Sequence, residues 1–563
     1  MTINFRDYAL PGDEKDCGYA LTKALEDCRL SGAEKLHIDA GVYHVYPDHL
    51  EQRTLCVTNN SYGLKRIAFS LQGMNDFVLD AQGAEFIFHG EILPVCVERS
   101  EDVMVKGLTI DYAHPLFGQG TVVQSTDTWL DLAIDTQFFP YVVEHRKLRF
   151  VTLDWRSGLV HNILEIDPVT KAPAYRAGDL WCDDSLDAEE LEPGIVRLYW
   201  HFHRRITEGN AVVLAVESRK CPGIFIANSK NVRVEDTTIY QAWGMALVAQ
   251  HTENVYLNRY AVCTREGSPY LVSAIADATH FVHCSGEVII ENCIMERQMD
   301  DPVNCHGIYT TIDKKVNERT LLLRLNHPEQ LGVDIYEAGD GIELLKRDTL
   351  KRLGVQRVKV CRILNVSCIE VSFEDELPAD VSEGDVVYNP SRMNTLIIRN
   401  CRMGANRARG PLVSTPRKAI VENNEIYTGG PGILIAGGDA TYWFESGPVS
   451  DVTIRGNTFR NCLVGPWGPA AILILMESEK KGAEYFHQNI DIRQNVFYTF
   501  DPAIVYAQSV DGLSFCDNRI EQTDIHPMYV GAQALVTAVA STNVTVQGNE
   551  IHGFDGIPLV TEA

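Results

Sequence analysis

Three aspartates are the residues in this chain most able to do chemistry together. Asp277, in SAIADATHFVHC, precedes Asp300 by 23 residues, and Asp301 follows directly in RQMDDPVNCHG. Carboxyl groups brought together are the machinery of glycoside hydrolysis: one acid protonates the leaving oxygen while a carboxylate activates water or attacks carbon. Crowding assists, because like charges at short range raise one pKa and keep one member protonated beside ionised neighbours. Other adjacent acids, Asp183 with Asp184 and Glu189 with Glu190, read as solvated surface. Asp300 and Asp301 differ from these in their setting, amid core-like strands and followed at once by Pro302, Asn304 and His306.

Other side chains could hold a sugar. Asn304 and His306 are placed to hydrogen-bond hydroxyls. Arg407 and Arg409 are expected to alternate along one strand and so share a face, where they could donate to hydroxyls or orient a carboxylate. Trp443 and Glu445, within TYWFESG, are expected in a loop, with the indole stacked on the apolar face of a sugar, and Trp243 is a further candidate for that stacking.

A spacing of 23 residues means proximity only if the chain winds, and an internal repeat says that it does. A polar turn, an alternating apolar run, an Asn-containing corner and a second apolar pair recur as SEDVMVKGLTI (100–110), SKNVRVEDTTI (229–239), GEVIIENCIM (286–295), MNTLIIRNCRM (393–403), RKAIVENNEI (417–426), SDVTIRGNTF (450–459), NIDIRQNVF (489–497), DGLSFCDNRI (511–520) and TNVTVQGNEI (542–551). The alternation and β-branched residues read as strands, and the Asn-rich corners as turns that accept left-handed backbone. Such a unit cannot bury its apolar face alone but can when stacked on like units. The prediction is an all-β, right-handed parallel β-helix, in which equivalent positions lie about 4.8 Å apart and residues one coil apart become neighbours. Helical spacing over Asp16–Ser31 predicts a capping helix at the open end.

The repeat lapses twice. Residues 114–215 and 312–392 keep strand character without the corner phrase and read as two inserted β-rich, barrel-like modules walling the active groove. The expected organisation is 1–113, cap and first coils; 114–215, first module; 216–311, coils with the aspartates; 312–392, second module; 393–563, last coils.

Composition excludes some functions. The formal charge of −26, spread along the chain, argues against nucleic acid, which requires a basic face. No apolar run suits a bilayer and no export signal is apparent, and the 15 cysteines lack a CxxC pair, which argues against a disulfide framework or zinc site. A cytoplasmic, reducing location, with no membrane partner, is the expectation.

Several phrases in order, KRIAFSLQGMNDFVLDAQGAEFIFHG (65–90), ADATHF, MDDPVNCHG, NRARGPLVSTP (406–416) and GILIAGGDATYWFESG (432–447), resemble glycoside hydrolase family 110, the α-1,3-galactosidases, through nearly the whole chain. The resemblance implies a β-helix with β-barrel insertions that removes terminal α-1,3-linked galactose, from blood group B type or linear glycans, with inversion and with no metal or cofactor. The trio is also similar to that of the polygalacturonases, which implies Asp300 as general acid, with Asp277 and Asp301 holding and deprotonating water. Familiar family members are exported, a point where this chain departs. Rival readings are a uronate-directed hydrolase or lyase, which needs Ca²⁺ or a basic cluster not seen between Asp277 and His306, and a noncatalytic glycan-binding solenoid, which has no use for three converging acids. The solenoid ends and inserted modules are compatible with a homodimer.

Overall fold

The computed structural model describes residues 1–153, 155–480 and 485–562. Its body is a parallel β-helix in which each coil contributes three strands, such as Leu247–Gln250, Glu253–Asn258 and Ala261–Val262, to two long sheets. In-register stacking is continuous: Val232, Val255, Val288, Leu396, Ala419, Val452, Ile490, Leu513 and Val544 pair one after another down a single column. Period-2 alternation sends these side chains inward and their neighbours to solvent, so a single apolar core runs the length of the solenoid.

The corner phrases work as turns. The residue after the long strand has a positive φ in coil after coil, at Asp236, Arg259, Asn292, Asn400, Asn423, Gly456, Gln494, Asp517 and Gly548. Asn, Asp and Gly dominate because the left-handed region costs them least. The next residue turns its amide inward. Asn424, Asn457, Asn495, Asn518 and Asn549 form a ladder in which each of the first four donates from Nδ2 to the next Oδ1 at 2.9–3.1 Å, and every rung also donates to a backbone carbonyl. Cys293 and Cys401 occupy the same position in earlier coils and are buried.

The helix spans Gly18–Ser31 and starts two residues later than its spacing predicted. It buries Ala20, Leu21, Ala24, Leu25 and Cys28 in the solenoid core, and it ends where Gly32 adopts a φ of 63°. It is the one α-helix among the described residues.

Both insertions are antiparallel and carry cores of their own. The first places Leu180–Trp181, Asn162–Ile166, Ala211–Ala215, Phe117–Ser125, Trp129–Ala133, Ile195–Tyr199 and Asp187–Glu192 in one seven-stranded sheet, beside a small three-stranded one. The second closes six strands, Thr310–Asn317, Thr320–Arg324, Cys368–Phe373, Arg352–Ile363, Gly341–Leu345 and Val386–Tyr388, into a barrel that leaves no free edge.

Candidate active site

The aspartates sit just before two stacked strands, His280–Val282 and Asn304–Ile308, in the same sheet. The register pairs His280 with Asn304, so the coil here holds 24 residues rather than 23, and Asp301 rather than Asp300 stacks on Asp277. The Asp301 backbone N–H donates to Asp277 Oδ1 at 3.1 Å, and the Ala278 N–H donates to the Asp301 carbonyl at 2.9 Å. The outward column His280, Asn304, Leu412, Leu434 continues across four coils and forms a floor.

Over this floor lies a cavity of about 550 Å³. Asp277, Asp300, Asn304, Arg407 and Arg409 reach it from the solenoid and its loops. The first insertion supplies His161, Asn162 and Trp181, the second supplies Glu329, and the 436–445 loop supplies Asp439, Tyr442, Trp443 and Glu445.

The three acids have different surroundings. Asp300 faces three guanidiniums, Arg219 at 3.3 Å and Arg407 and Arg409 each at 3.7 Å. Burial raises its pKa, but these cations outweigh burial and hold it below the ordinary value. The 3.7 Å contacts are too long for hydrogen bonds, which leaves that oxygen open to the cavity. Asp277 is pushed up to about 7, first by burial and then by the Asp300 charge. Asp301 is fully buried and is not part of the cavity wall. Arg409 grips it with Nε at 3.0 Å, Nη2 at 2.8 Å and its backbone N–H at 3.2 Å. Burial raises Asp301 and Arg409 opposes this; with three donors converging on its two oxygens, we take the pair as ionic.

Several expectations are corrected. Asp301, expected to help hold and deprotonate the attacking water, does not line the cavity; it stands behind Arg409 and orients it. Asp300, expected as the general acid, has its pKa held below the ordinary carboxyl value by the three arginines, which outweigh its burial, whereas burial and the Asp300 charge raise Asp277 to about 7. Arg407 and Arg409 do not alternate along a strand, because residues 405–411 form an irregular loop between Arg402–Gly404 and Leu412–Val413; both reach the cavity nonetheless. Trp243 is core: it stacks on Tyr112 with ring centroids 5.2 Å apart, and its Nε1 donates to the His114 carbonyl at 3.0 Å. His306 is buried away from the cavity wall.

The remaining candidates stand at the cavity. Asn304 Oδ1 is buried with no hydrogen-bond partner among the described residues, as suits a group awaiting a hydroxyl. Trp443 lies beside His327, with ring centroids 4.5 Å apart, and Arg219 sits 5.8 Å from the indole centroid. Glu445 belongs to a two-residue strand, Glu445–Ser446, pairing antiparallel with Gly307 and Ile308. It accepts from Asn59 Nδ2 at 3.0 Å and is pushed up to about 8 by burial.

Sequence reasoning passed over Arg219, His280, Asp179 and Glu329. Asp179, from the first insertion, pairs with Arg407 Nη1, while Arg407 Nε donates to the Met299 carbonyl at 2.7 Å and the guanidinium lies 4.7 Å from the Trp467 centroid. Arg219 bridges Asp300 to Glu329 of the second insertion. None of these lies within a repeat phrase; only His280, inside ADATHF, adjoined a motif. One oxygen of each aspartate lies within 4.8 Å of the others, a grouping that could suit a cation, but Arg409 and His280 already occupy oxygens of Asp301 and Asp277.

The chain is similar to known proteins along nearly its whole length. Residues 118–212 match GLAA-B beta-barrel domain I and residues 320–387 match GLAA-B beta-barrel domain II. The chain is 31% identical to Alpha-1,3-galactosidase B of Bacteroides thetaiotaomicron over 98% of this chain and 91% of that one. It is 32% identical to Alpha-1,3-galactosidase A of Bacteroides fragilis over 98% and 92%, and 31% identical to Alpha-1,3-galactosidase A of Shewanella woodyi over 98% and 91%.

Proposed function

Because the chain belongs to the α-1,3-galactosidases of glycoside hydrolase family 110, we propose that it is an exo-acting hydrolase that removes terminal α-1,3-linked galactose from oligosaccharides, by inversion, using Asp277 and Asp300 as a pair that shares one proton. The observation that carries this reading is the asymmetry of two carboxyl groups at one cavity. Three arginines hold the Asp300 pKa below its ordinary value, while burial and the Asp300 charge raise that of Asp277 to about 7. Hydrolysis needs one carboxyl of each kind: the glycosidic oxygen takes a proton as its bond to carbon breaks, and the attacking water gives one up.

Asp301 contributes through Arg409, which it aims at Asp300 and the cavity. Asn304 and the arginines offer polar partners for hydroxyls, and Trp443 an aromatic face. Support for inversion comes from the family. The close spacing of the trio is nearer to that of retaining glycosidases, so the anomer released is the measurement that decides. Incubating the enzyme with Galα1-3Gal and with the fucosylated blood group B trisaccharide, with EDTA present, should release free galactose, first as the β anomer by proton NMR. No release from either substrate would refute the hydrolase, and initial α-galactose would refute inversion.

A further inference from the structure

The wall that the first insertion builds over the cavity carries two side chains that the hydrolytic reading leaves without a role. Asn162 and Trp181 stand directly opposite each other in the antiparallel strands Asn162–Ile166 and Leu180–Trp181, so their side chains share one face of the sheet. Ile163 and Leu180, the next pair along, turn into the core of the insertion, whereas Asn162 and Trp181 both line the cavity. Asn162 is buried, and its Oδ1 has no hydrogen-bond partner among the described residues. Trp181 is 63% exposed, and the His161 ring lies against it with centroids 6.5 Å apart and 22° between the planes.

Their place relative to the acids decides what they meet. Arg407 reaches Asp300 with one nitrogen and Asp179 with another, and the Asn162 amide faces Asp179, so the Arg407–Asp179 pair separates Asn162 from Asp300. An enzyme that holds a terminal galactose at the acids must lead the rest of the glycan out to solvent. At Trp181 the cavity adjoins a second hollow of about 380 Å³, because Trp181 and Trp467 line both, and that hollow runs on past Gly178 and Pro466. Tyr442, the other strongly exposed aromatic of the cavity at 71%, is not part of that hollow. We propose that the first insertion forms the leaving-side subsite, with Trp181 as the platform on which the sugar bonded to galactose stacks and Asn162 Oδ1 as the acceptor for one of its hydroxyls. The inference rests on the hydrolase reading and deepens it: the substrate class is a galactosyl glycan whose first acceptor unit is itself a pyranose, rather than a galactoside of a small alcohol.

A pyranose suits this pair. One face of the ring carries C–H groups, which an indole covers over a large apolar area. The hydroxyls at the ring edge can donate to the buried amide oxygen, which otherwise carries the cost of an unmade hydrogen bond. The platform is also held still, because the segment leading to Trp181 is fixed to the solenoid. The Arg176 N–H donates to the Val464 carbonyl at 2.6 Å, the Tyr175 hydroxyl donates to the Pro527 carbonyl at 2.7 Å, and the Tyr175 ring stacks on His526 with centroids 4.4 Å apart. An aromatic on an anchored backbone loses little freedom when a sugar binds, so more of the contact appears as affinity.

The test compares two substrates on the full chain. Galα1-3Gal carries a sugar on the leaving side, whereas α-galactosyl fluoride places a single fluorine there. In Trp181→Ala the ratio of kcat/KM on Galα1-3Gal to kcat/KM on α-galactosyl fluoride should fall about tenfold, chiefly through the KM of the disaccharide. Trp181→Phe, which keeps a ring, should recover most of that ratio, and Asn162→Ala should move it in the same direction as Trp181→Ala. An unmoved ratio in Trp181→Ala would overturn the proposal, since a merely structural role lowers both rates alike. So would a tenfold fall in Tyr442→Ala instead, which would mean that the glycan leaves over the other rim. If the wild-type enzyme releases no galactose, the hydrolase reading fails by itself, and the subsite is read from calorimetric binding to the unreacting enzyme. Trp181→Ala should then weaken Galα1-3Gal about tenfold more than it weakens galactose, and equal weakening, or no binding of the disaccharide to the wild type, would overturn the subsite.

Discussion

At the scale of single residues, two aspartates in one cavity have opposite proton affinities because different neighbours reach them. Asp277→Asn and Asp300→Asn should each lower turnover on Galα1-3Gal by about 10²–10⁴-fold, the usual worth of a general acid or base. On an aryl α-galactoside whose leaving group needs no proton, only the variant lacking the acid should regain activity. Wild-type-like rates for either variant on the disaccharide would remove that aspartate from the mechanism. The same electrostatics predict a stability effect. The folded-state pKa values of Asp277 and Glu445 are raised, to about 7 and about 8. Below about pH 4 both folded and unfolded chains hold these protons. As pH rises, the unfolded chain releases them first, so these two groups make stability fall between about pH 4 and their folded pKa values. Asp277→Asn removes one such contribution, so its melting temperature relative to wild type should be higher at pH 8 than at pH 5. An identical difference at the two pH values, by calorimetry, would contradict a buried protonated Asp277.

At the scale of the element, the solenoid is held in register by its corners as well as by its apolar columns. Asn457 donates to Asn495 Oδ1 and the Val421 carbonyl and accepts from Asn424, all within the buried ladder. Replacing it with Ala leaves those partners unsatisfied at a cost of about 1–3 kcal/mol each. Asn457→Ala should therefore lower stability by several times the effect of an exposed strand change such as Thr545→Ala, measured by urea unfolding. Equal effects would mean that the ladder is incidental. The register also fixes the site: slipping Asn304–Ile308 by one residue against His280–Val282 would turn Asn304 from the cavity toward the core.

At the scale of the molecule, the insertions complete the site rather than decorate it. Asp179 of the first insertion anchors Arg407, and Glu329 of the second meets Arg219, so two of the three cations around Asp300 are steered by modules outside the solenoid. Asp179→Ala should lower kcat/KM by about 10–100-fold, equivalent to about 1.4–2.7 kcal/mol of transition-state stabilisation. The loss should arise without a matching loss of global stability, and an unchanged kcat/KM would show that Arg407 needs no anchor. The solenoid, the capping helix and the convergence of Asp277 with Asp300 and Asp301 could be read from the sequence because they depend on local period, and period converts directly into neighbourhood when identical units stack. Asn304, Trp443 and Glu445 were legible as residues breaking or adjoining the repeat. Trp243 misled because an aromatic beside a repeat strand reads the same whether it faces sugar or core. Arg219, Asp179 and Glu329 lie tens to hundreds of residues from the aspartates, outside any repeat, and meet them only when both insertions fold back over the groove. Proton placement belonged to the same class: whether Asp277 or Asp300 is charged depends on guanidiniums and imidazoles delivered by several separate segments. The amino-acid order thus determined which residues stack, since stacking is a property of spacing along one chain. The tertiary structure decided their charge, since charge depends on what surrounds a group in three dimensions.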